Sequence, residues 1–181
     1  SRSRARGRTG PIRSGMQGGS AAPAADAIVG SLHPLCEALG HPPDVRAVSE
    51  IVGWYAPPAW VRACVSPADA CALAETIRIL RPRRVVEIGV ASGASSAVML
   101  HAMRAHGIDG RIDGFDIHHQ CYWDRSRAVG SAVAEMVPDM ADRFTLHKGD
   151  ARLAGETLAP GSIDLAFIDG DHAHPWPTLD L

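Results

Sequence analysis

The chain has 181 residues, 46% hydrophobic and 21% charged, with a net charge of −2, the proportions of a globular domain whose core is large enough to need no disulfide or structural metal. Five of the 18 basic residues, Arg2, Arg4, Arg6, Arg8 and Arg13, precede the first acid, so the other 13 stand against 20 acidic residues. A body that acidic excludes a nucleic-acid backbone as its main partner, and no run reaches the roughly 18 consecutive apolar residues of a membrane span.

Residues 1–22 are rich in Ser, Arg and Gly, with no aromatic interleaving and no amphipathic period, and are expected to be a disordered basic tail. No apolar core of a secretory signal follows the arginines. The Arg/Ser-rich, acid-free opening suits an organelle transit peptide or a linker equally, and Met16 is an alternative start. Cys36, Cys64, Cys71 and Cys121 show neither a CxxC pair nor zinc-like spacing, so they are read as reduced, mostly packed thiols of a cytoplasmic protein.

Residues 23–65 are expected to form a helical cap or lid. "AADAIVGSLHPLCEALG" has three- and four-residue apolar spacing, and the following stretch is helical in patches and cut by prolines. Trp54, Tyr55 and Trp60 lie there, either roofing a pocket or serving as packing anchors. Residues 66–181 form the main domain. Ser66 suits a helix N-cap and Pro67 the first helical position, with Ala70, Leu73, Ile77 and Leu80 on one stripe. Four strand-like segments follow, "RVVEIGV", "RIDGFDI", "RFTLHKGDA" and "SIDLAFIDGDH", with helices predicted over "GASSAVMLHAMRAHG" and "SRAVGSAVAEMV". Strands separated by helix-length connections imply parallel pairing, and the fold class is α/β, a Rossmann-like doubly wound, mainly parallel sheet.

Ligands of such sheets bind beyond the carboxyl ends of the strands. The first strand ends at Glu87, Ile88 and Gly89, and its turn reads "GVASGAS". A dinucleotide fingerprint needs a second glycine where Ala91 stands, so the turn disfavours a diphosphate and suits a ligand with ribose and base alone. The glycines are equally explained by close helix–strand packing. Asp116, ending the second strand, is placed to accept from both ribose hydroxyls, and Asp150, after the third, from an adenine amino group. Glu135 and Asp142 carry no motif and are read as solvated surface.

At these residues the chain resembles the class I S-adenosylmethionine (SAM)-dependent methyltransferases, in the group of catechol-type, macrocin-type and cephalosporin-hydroxylase-like O-methyltransferases. The resemblance rests on "EIGVASGASS" and "FIDGDHAHPWPTLDL" and covers residues 66–181. It implies that Glu87, Gly89, Ser92 and Gly93 line the methionine and ribose side of SAM, that Asp116 takes the ribose hydroxyls and that Asp150 sits near the adenine. His118 is either a cover for the base or an exposed loop residue. Asp169 matches the position that ligates Mg²⁺ in metal-dependent members, although one aspartate cannot hold a magnesium ion. His172 stands where catechol-type enzymes carry a general-base lysine, and serves as base or as a hydrogen-bond donor to Asp169. Asp171 is a helix cap or an extra ligand. His174, Pro175 and Pro177 depart from the usual residues of this segment.

The implied function is methylation of a small hydroxylated molecule, with no nucleic-acid or membrane partner. A non-catalytic nucleotide- or partner-binding module, or an inactive fragment, is the alternative. An oxidative enzyme of the cephalosporin-hydroxylase kind has no iron-ligating motif to support it. The class I fold has seven strands and four are identifiable here, which leaves the fourth, with "LAFI", as an exposed edge. The chain therefore reads as part of a longer protein, and association into a homo-oligomer stays open.

Overall fold

The computed structural model describes residues 21–62 and 64–170. Three helices come first, α1 (Ala21–Ala38), α2 (Val45–Trp54) and α3 (Pro67–Leu80). Asp44 starts α2, its carboxylate accepting from the amides of Arg46 and Ala47. Ser66 starts α3 through a reciprocal box with Asp69, and Pro67 occupies the first turn, as the sequence predicts. The stripe on α3 is rotated from its expected position. Ala70 and Ile77 are buried, but so are Cys71, Ala74 and Glu75, while Leu80 is exposed. Helices on both sides of α3 draw more of its circumference inward than one apolar stripe would supply.

Alternating strands and helices follow: β1 (Arg84–Ile88), α4 (Ala94–Ala105), β2 (Arg111–Asp116), β3 (Gln120–Cys121), β4 (Asp124–Ala128), α5 (Ala132–Met136), a 3-10 turn over Pro138–Arg143, β5 (Phe144–Lys148), α6 (Ala151–Thr157) and β6 (Leu165–Ile168). The main sheet runs β5-β2-β1-β6 with every neighbouring pair parallel, which is the expected Rossmann-like order. The chain winds outward from β1 to β5 and returns to the other side of β1, so the strand order reverses at β1 and β6. Among the described strands β6 is an edge, as the position of "LAFI" predicts.

Side chains from the sheet reach two layers. Val85 and Ile112 point into a large core with α4, which is buried from Ala94 to Met103 and packed behind by α3, α2 and α1. Val86, Ile88 and Phe115 point to the other face, against Ala154 of α6. On that second face Asp113 accepts from His147 at 2.8 Å and lies 3.3 Å from Arg84 Nε, joining β5, β2 and β1. The Asp164 carboxylate takes the amides of Arg83 and Arg84 at 2.8 and 2.9 Å, fixing the register of β6 on β1.

One predicted element is corrected. "SRAVGSAVAEMV" is not one helix: its start belongs to an antiparallel hairpin, β3 with β4, and only Ala132–Met136 is α-helical. Gly130 adopts φ +78, which ends the helical path. Asp124 also accepts from the amide and hydroxyl of Ser126, a local turn that competes with helix.

A buried carboxylate fastens the first two helices to the main domain. Glu75 of α3 is 1% exposed. It accepts from the Asp44 amide at 2.8 Å and from Arg78 at 2.7 and 2.9 Å, while Arg78 also donates to the Pro42 carbonyl at 3.1 Å. Glu75→Ala would leave the Asp44 amide without an acceptor and the Arg78 guanidinium without its counter-charge, with the Pro42 carbonyl remaining to it. The expected loss in urea denaturation is about 3 kcal/mol, and an unchanged midpoint would contradict this role.

Candidate functional site

A cleft of about 540 Å³ opens beyond the carboxyl ends of the strands, at the reversal of strand order where ligands of such sheets bind. Its floor is the turn after β1, from Gly89 to Ser92, with Asp116 from β2, Gly149 and Asp150 after β5, and Asp169 after β6. Strand tips far apart in sequence thus meet in one crevice. The opposite wall comes from the segment before α3 (Cys64, Val65) and from the hairpin and its approach (Ile117, Tyr122, Trp123).

The turn is held by its backbone. Gly89 has φ +84, and a side chain there would lie 2.5 Å from the Asp169 carbonyl; Gly93 has φ +87, and one there would lie 2.8 Å from the Gly130 Cα. Both positions require glycine for conformation and for space. Of the two sequence-based explanations, close packing therefore applies to Gly93, whereas Gly89 both packs and lines the cleft. Ala91 also has positive φ, at 50°, and its carbonyl accepts from the Gly130 amide at 3.0 Å.

Asp116 braces the same turn. One carboxylate oxygen accepts from the amides of Val90 and Ala91 at 3.1 and 3.0 Å, and the other from the His118 amide at 2.8 Å. A carboxylate has about four acceptor positions, so roughly one is left facing the cleft. Asp150 caps α6 and pairs with Arg152 at 2.5 Å, and the Arg152 hydrogen bonds hold its carboxyl below the ordinary carboxylate range. Ser92 is buried beneath the cleft surface.

Glu87 and Gly93 stand behind the wall rather than on it. The Glu87 carboxylate is fully buried and accepts from the hydroxyls of Ser95 and Ser96 in the first turn of α4. Asp169 lies at the tip of β6, its amide donating to the Ile88 carbonyl at 2.9 Å. His172, Asp171, His174, Pro175 and Pro177 lie outside the described residues.

Residues 86–181 match the family described as a methyltransferase domain, more than half of the chain. The chain belongs to the methyltransferase-domain family. Over 109 residues this methyltransferase-domain chain is 34% identical to a protein of Mycobacterium sp. (strain JLS) named "Putative O-methyltransferase", covering 60% of this chain and 46% of that protein. It thus spans less than half the length of that relative. Among solved structures it is similar to "cmcI-N160 SAH", at 29% identity over 68% of this chain and 57% of that one, with a TM-score of 0.48. It is also similar to the O-methyltransferase TomG from Streptomyces achromogenes in complex with SAM, at 28% identity over 59% of this chain and 45% of that one, with a TM-score of 0.45.

Trp54, Tyr55 and Trp60 are anchors outside the cleft lining. Trp54 stacks on His101 at 3.9 Å between ring centroids, the Tyr55 hydroxyl donates to the Val65 carbonyl at 2.8 Å, and the Trp60 indole donates to Glu135 at 3.1 Å. Glu135, read from sequence as solvated surface, is exposed as expected, and there it accepts from Trp60 and pairs with Arg127. The wall residues Cys64, Tyr122 and Trp123 were not singled out as site residues by sequence reasoning. The available signal was the aromatic pair "YW" shortly after the Asp116 strand tip, in a stretch without helical period.

Among the described residues no group of three His, Cys, Asp or Glu side chains is placed to hold a metal ion. Among the described helices none is long and apolar enough to cross a membrane.

Burial drives the Glu87 carboxyl from an ordinary 4.5 up to about 7; its serine donors oppose the shift, and Asp169 and Asp116 add to it. The unfolded chain ionises this group from about pH 4.5, while the folded protein holds the proton to about pH 7. The associated stability is therefore complete below the lower value and lost as pH rises through the upper one. The loss amounts to about 3 kcal/mol. Glu87→Gln should flatten this part of the profile and make the variant the more stable form above about pH 7, as read by urea denaturation across the window. A wild-type profile without that decline would refute the assignment.

Proposed function

We propose that this chain carries the SAM-binding part of an O-methyltransferase that acts on a small hydroxylated molecule. The observation that carries the reading is the convergence of the Gly89–Ser92 turn with Asp116, Asp150 and Asp169 on one crevice at the strand tips. The family match supports it, as does the O-methyltransferase named among the chain's relatives.

The donor chemistry suits SAM. The turn carries no second glycine for a pyrophosphate, since Ala91 fills that place. Asp116 keeps acceptor capacity for a hydroxyl, and Asp116 and Asp169 crowd like charge around Glu87, a field that a cationic ligand relieves. When bound, SAM supplies a methyl group on a sulfonium, open to in-line attack by an acceptor oxygen. The protein's part is alignment, for which positioning can contribute roughly 7 to 11 kcal/mol.

In this reading Gly89 and Ser92 present backbone to the cofactor, Asp116 orients its ribose, and Gly149 and Asp150 border its base. Glu87 and Gly93 act one layer back, Glu87 by holding the start of α4 and Gly93 by letting Gly130 approach. Asp169 borders the acceptor side, and His172, three residues on in the sequence, matches the position of the catechol-type general base. An imidazole with an ordinary pKa near 6.5 is suited to taking the acceptor proton, and that is the role proposed for His172.

The test is calorimetry of the full-length protein with SAM and its demethylated product, S-adenosylhomocysteine (SAH). Saturable binding is expected, and NAD binding without SAM binding would reverse the reading. Asp116→Ala should weaken SAH at least about tenfold, the value of one charge-assisted hydrogen bond. The same change should lower the melting temperature, because the Val90, Ala91 and His118 amides lose their acceptor.

A further inference from the structure

The two sides of the cleft come from different parts of the chain. The floor is the turn from Gly89 to Ser92, and the outer wall includes Trp123, in the turn between β3 and β4. Tyr122 meets Trp123 edge-on, with ring centroids 4.7 Å apart and planes at 90°. An indole keeps one orientation when its N–H has a fixed acceptor. Trp123 finds that acceptor in the Trp60 carbonyl, at 3.1 Å.

Trp60 is itself held twice. Its indole donates to one Glu135 oxygen at 3.1 Å, and Arg127 of β4 lies 4.7 Å over its ring while bonding the other Glu135 oxygen at 2.8 Å. The contacts close a cycle, with Trp123 resting on Trp60, Trp60 on Glu135, and Arg127 bridging the last two.

Glu135 stands on α5, and the start of that helix is bonded to the floor. The Gly130 amide donates to the Ala91 carbonyl and the Ala132 amide to the Ser92 carbonyl, both at 3.0 Å. The element that anchors the wall is therefore the one that braces the turn, and the spacing between Trp123 and the floor is set through α5. Trp60, Arg127 and Glu135 lie outside the cleft lining. The Arg127 and Glu135 side chains are each 40% exposed, and an ion pair so open to water adds little to global stability. Its consequence is local: it fixes the seat of an indole on a ligand-bearing surface.

We infer that Glu135 and Arg127 are positioning residues of the cleft, which hold Trp60, keep Trp123 seated on the wall and so slow release of the bound nucleoside cofactor. The identity of that cofactor rests on the SAM reading above, whereas the positioning rests on the contacts themselves.

The experiment uses the full-length protein and follows SAH release by stopped-flow displacement. Glu135→Ala should speed release about two- to tenfold, the range of one hydrogen bond, with little change in melting temperature. Arg127→Ala should speed it about two- to fivefold, the range of one cation–π contact. Glu135→Gln keeps an acceptor for the Trp60 indole and should hold release within about twofold of wild type. Trp123→Phe should also speed release, and adding Glu135→Ala to it should have no further effect, since the indole that Glu135 seats is already gone. In ligand-free protein labelled with 5-fluorotryptophan, the Trp123 fluorine resonance, assigned through Trp123→Phe, should shift in Glu135→Ala and return in Glu135→Gln. An unchanged release rate in Glu135→Ala overturns the inference, as do additive effects of Glu135→Ala and Trp123→Phe, failure of Glu135→Gln to restore release, or an unmoved Trp123 resonance. Absence of SAH binding in wild type overturns the SAM reading and the retention of cofactor with it, while the Trp123 resonance still decides whether Glu135 positions the wall.

Discussion

The site depends on how closely three backbone segments approach at the end of β1. The Asp169 carbonyl and the Gly130 Cα occupy the space that side chains at positions 89 and 93 would need. That contact brings the tip of β6 and the start of α5 against the same turn, and the Ala91 carbonyl receives the Gly130 amide. With backbone on both sides, the turn has one accessible path. The crevice above it is formed by main chain whose position is set before any ligand arrives.

Charged groups then specify what the turn can hold. Asp116 spends most of its acceptor capacity on the amides of Val90, Ala91 and His118, so it works first as a brace and second as a ligand contact. Glu87, expected to face the ligand, holds the first turn of α4 through Ser95 and Ser96. A carboxylate sealed under a helix start is favoured by the positive end of the helix and disfavoured by desolvation, and here burial dominates. Two of the acidic residues that mark the motif are thus structural supports for the geometry that the motif is read as announcing.

The first three helices form a second layer whose attachment is polar at one point and apolar elsewhere. Glu75 joins Asp44 and Arg78 inside a core built from Leu32, Cys36, Val48 and Ile51 against α3 and α4. The chain leaving that layer runs past Trp60 to Cys64 and Val65 on the cleft wall, so packing of the N-terminal helices and the shape of the outer wall are mechanically linked.

Much of the main domain was legible in the sequence because its signals are local. β-branched runs separated by helix-length segments imply parallel strands, the Ser66–Asp69 box marks a helix start, and acids at consecutive strand ends follow from the winding of an open sheet. The hairpin was not legible, because "SRAVGSAVAEMV" has acceptable helix composition and only the Gly130 approach to Gly93 and the pairing of β4 with β3 override it. The role of Glu135 was hidden for a related reason, since its partners Trp60 and Arg127 are brought to it by the fold. The sequence by itself determined the succession of strands and helices, the glycine turn and the acidic tips, since each depends on a residue's own backbone preference or on its place along a strand. Only the tertiary structure decided which of those acids face the cleft, which glycine makes room for a neighbouring chain, and that an aromatic wall stands opposite. Those outcomes depend on distances between segments remote in the chain, which no local pattern encodes.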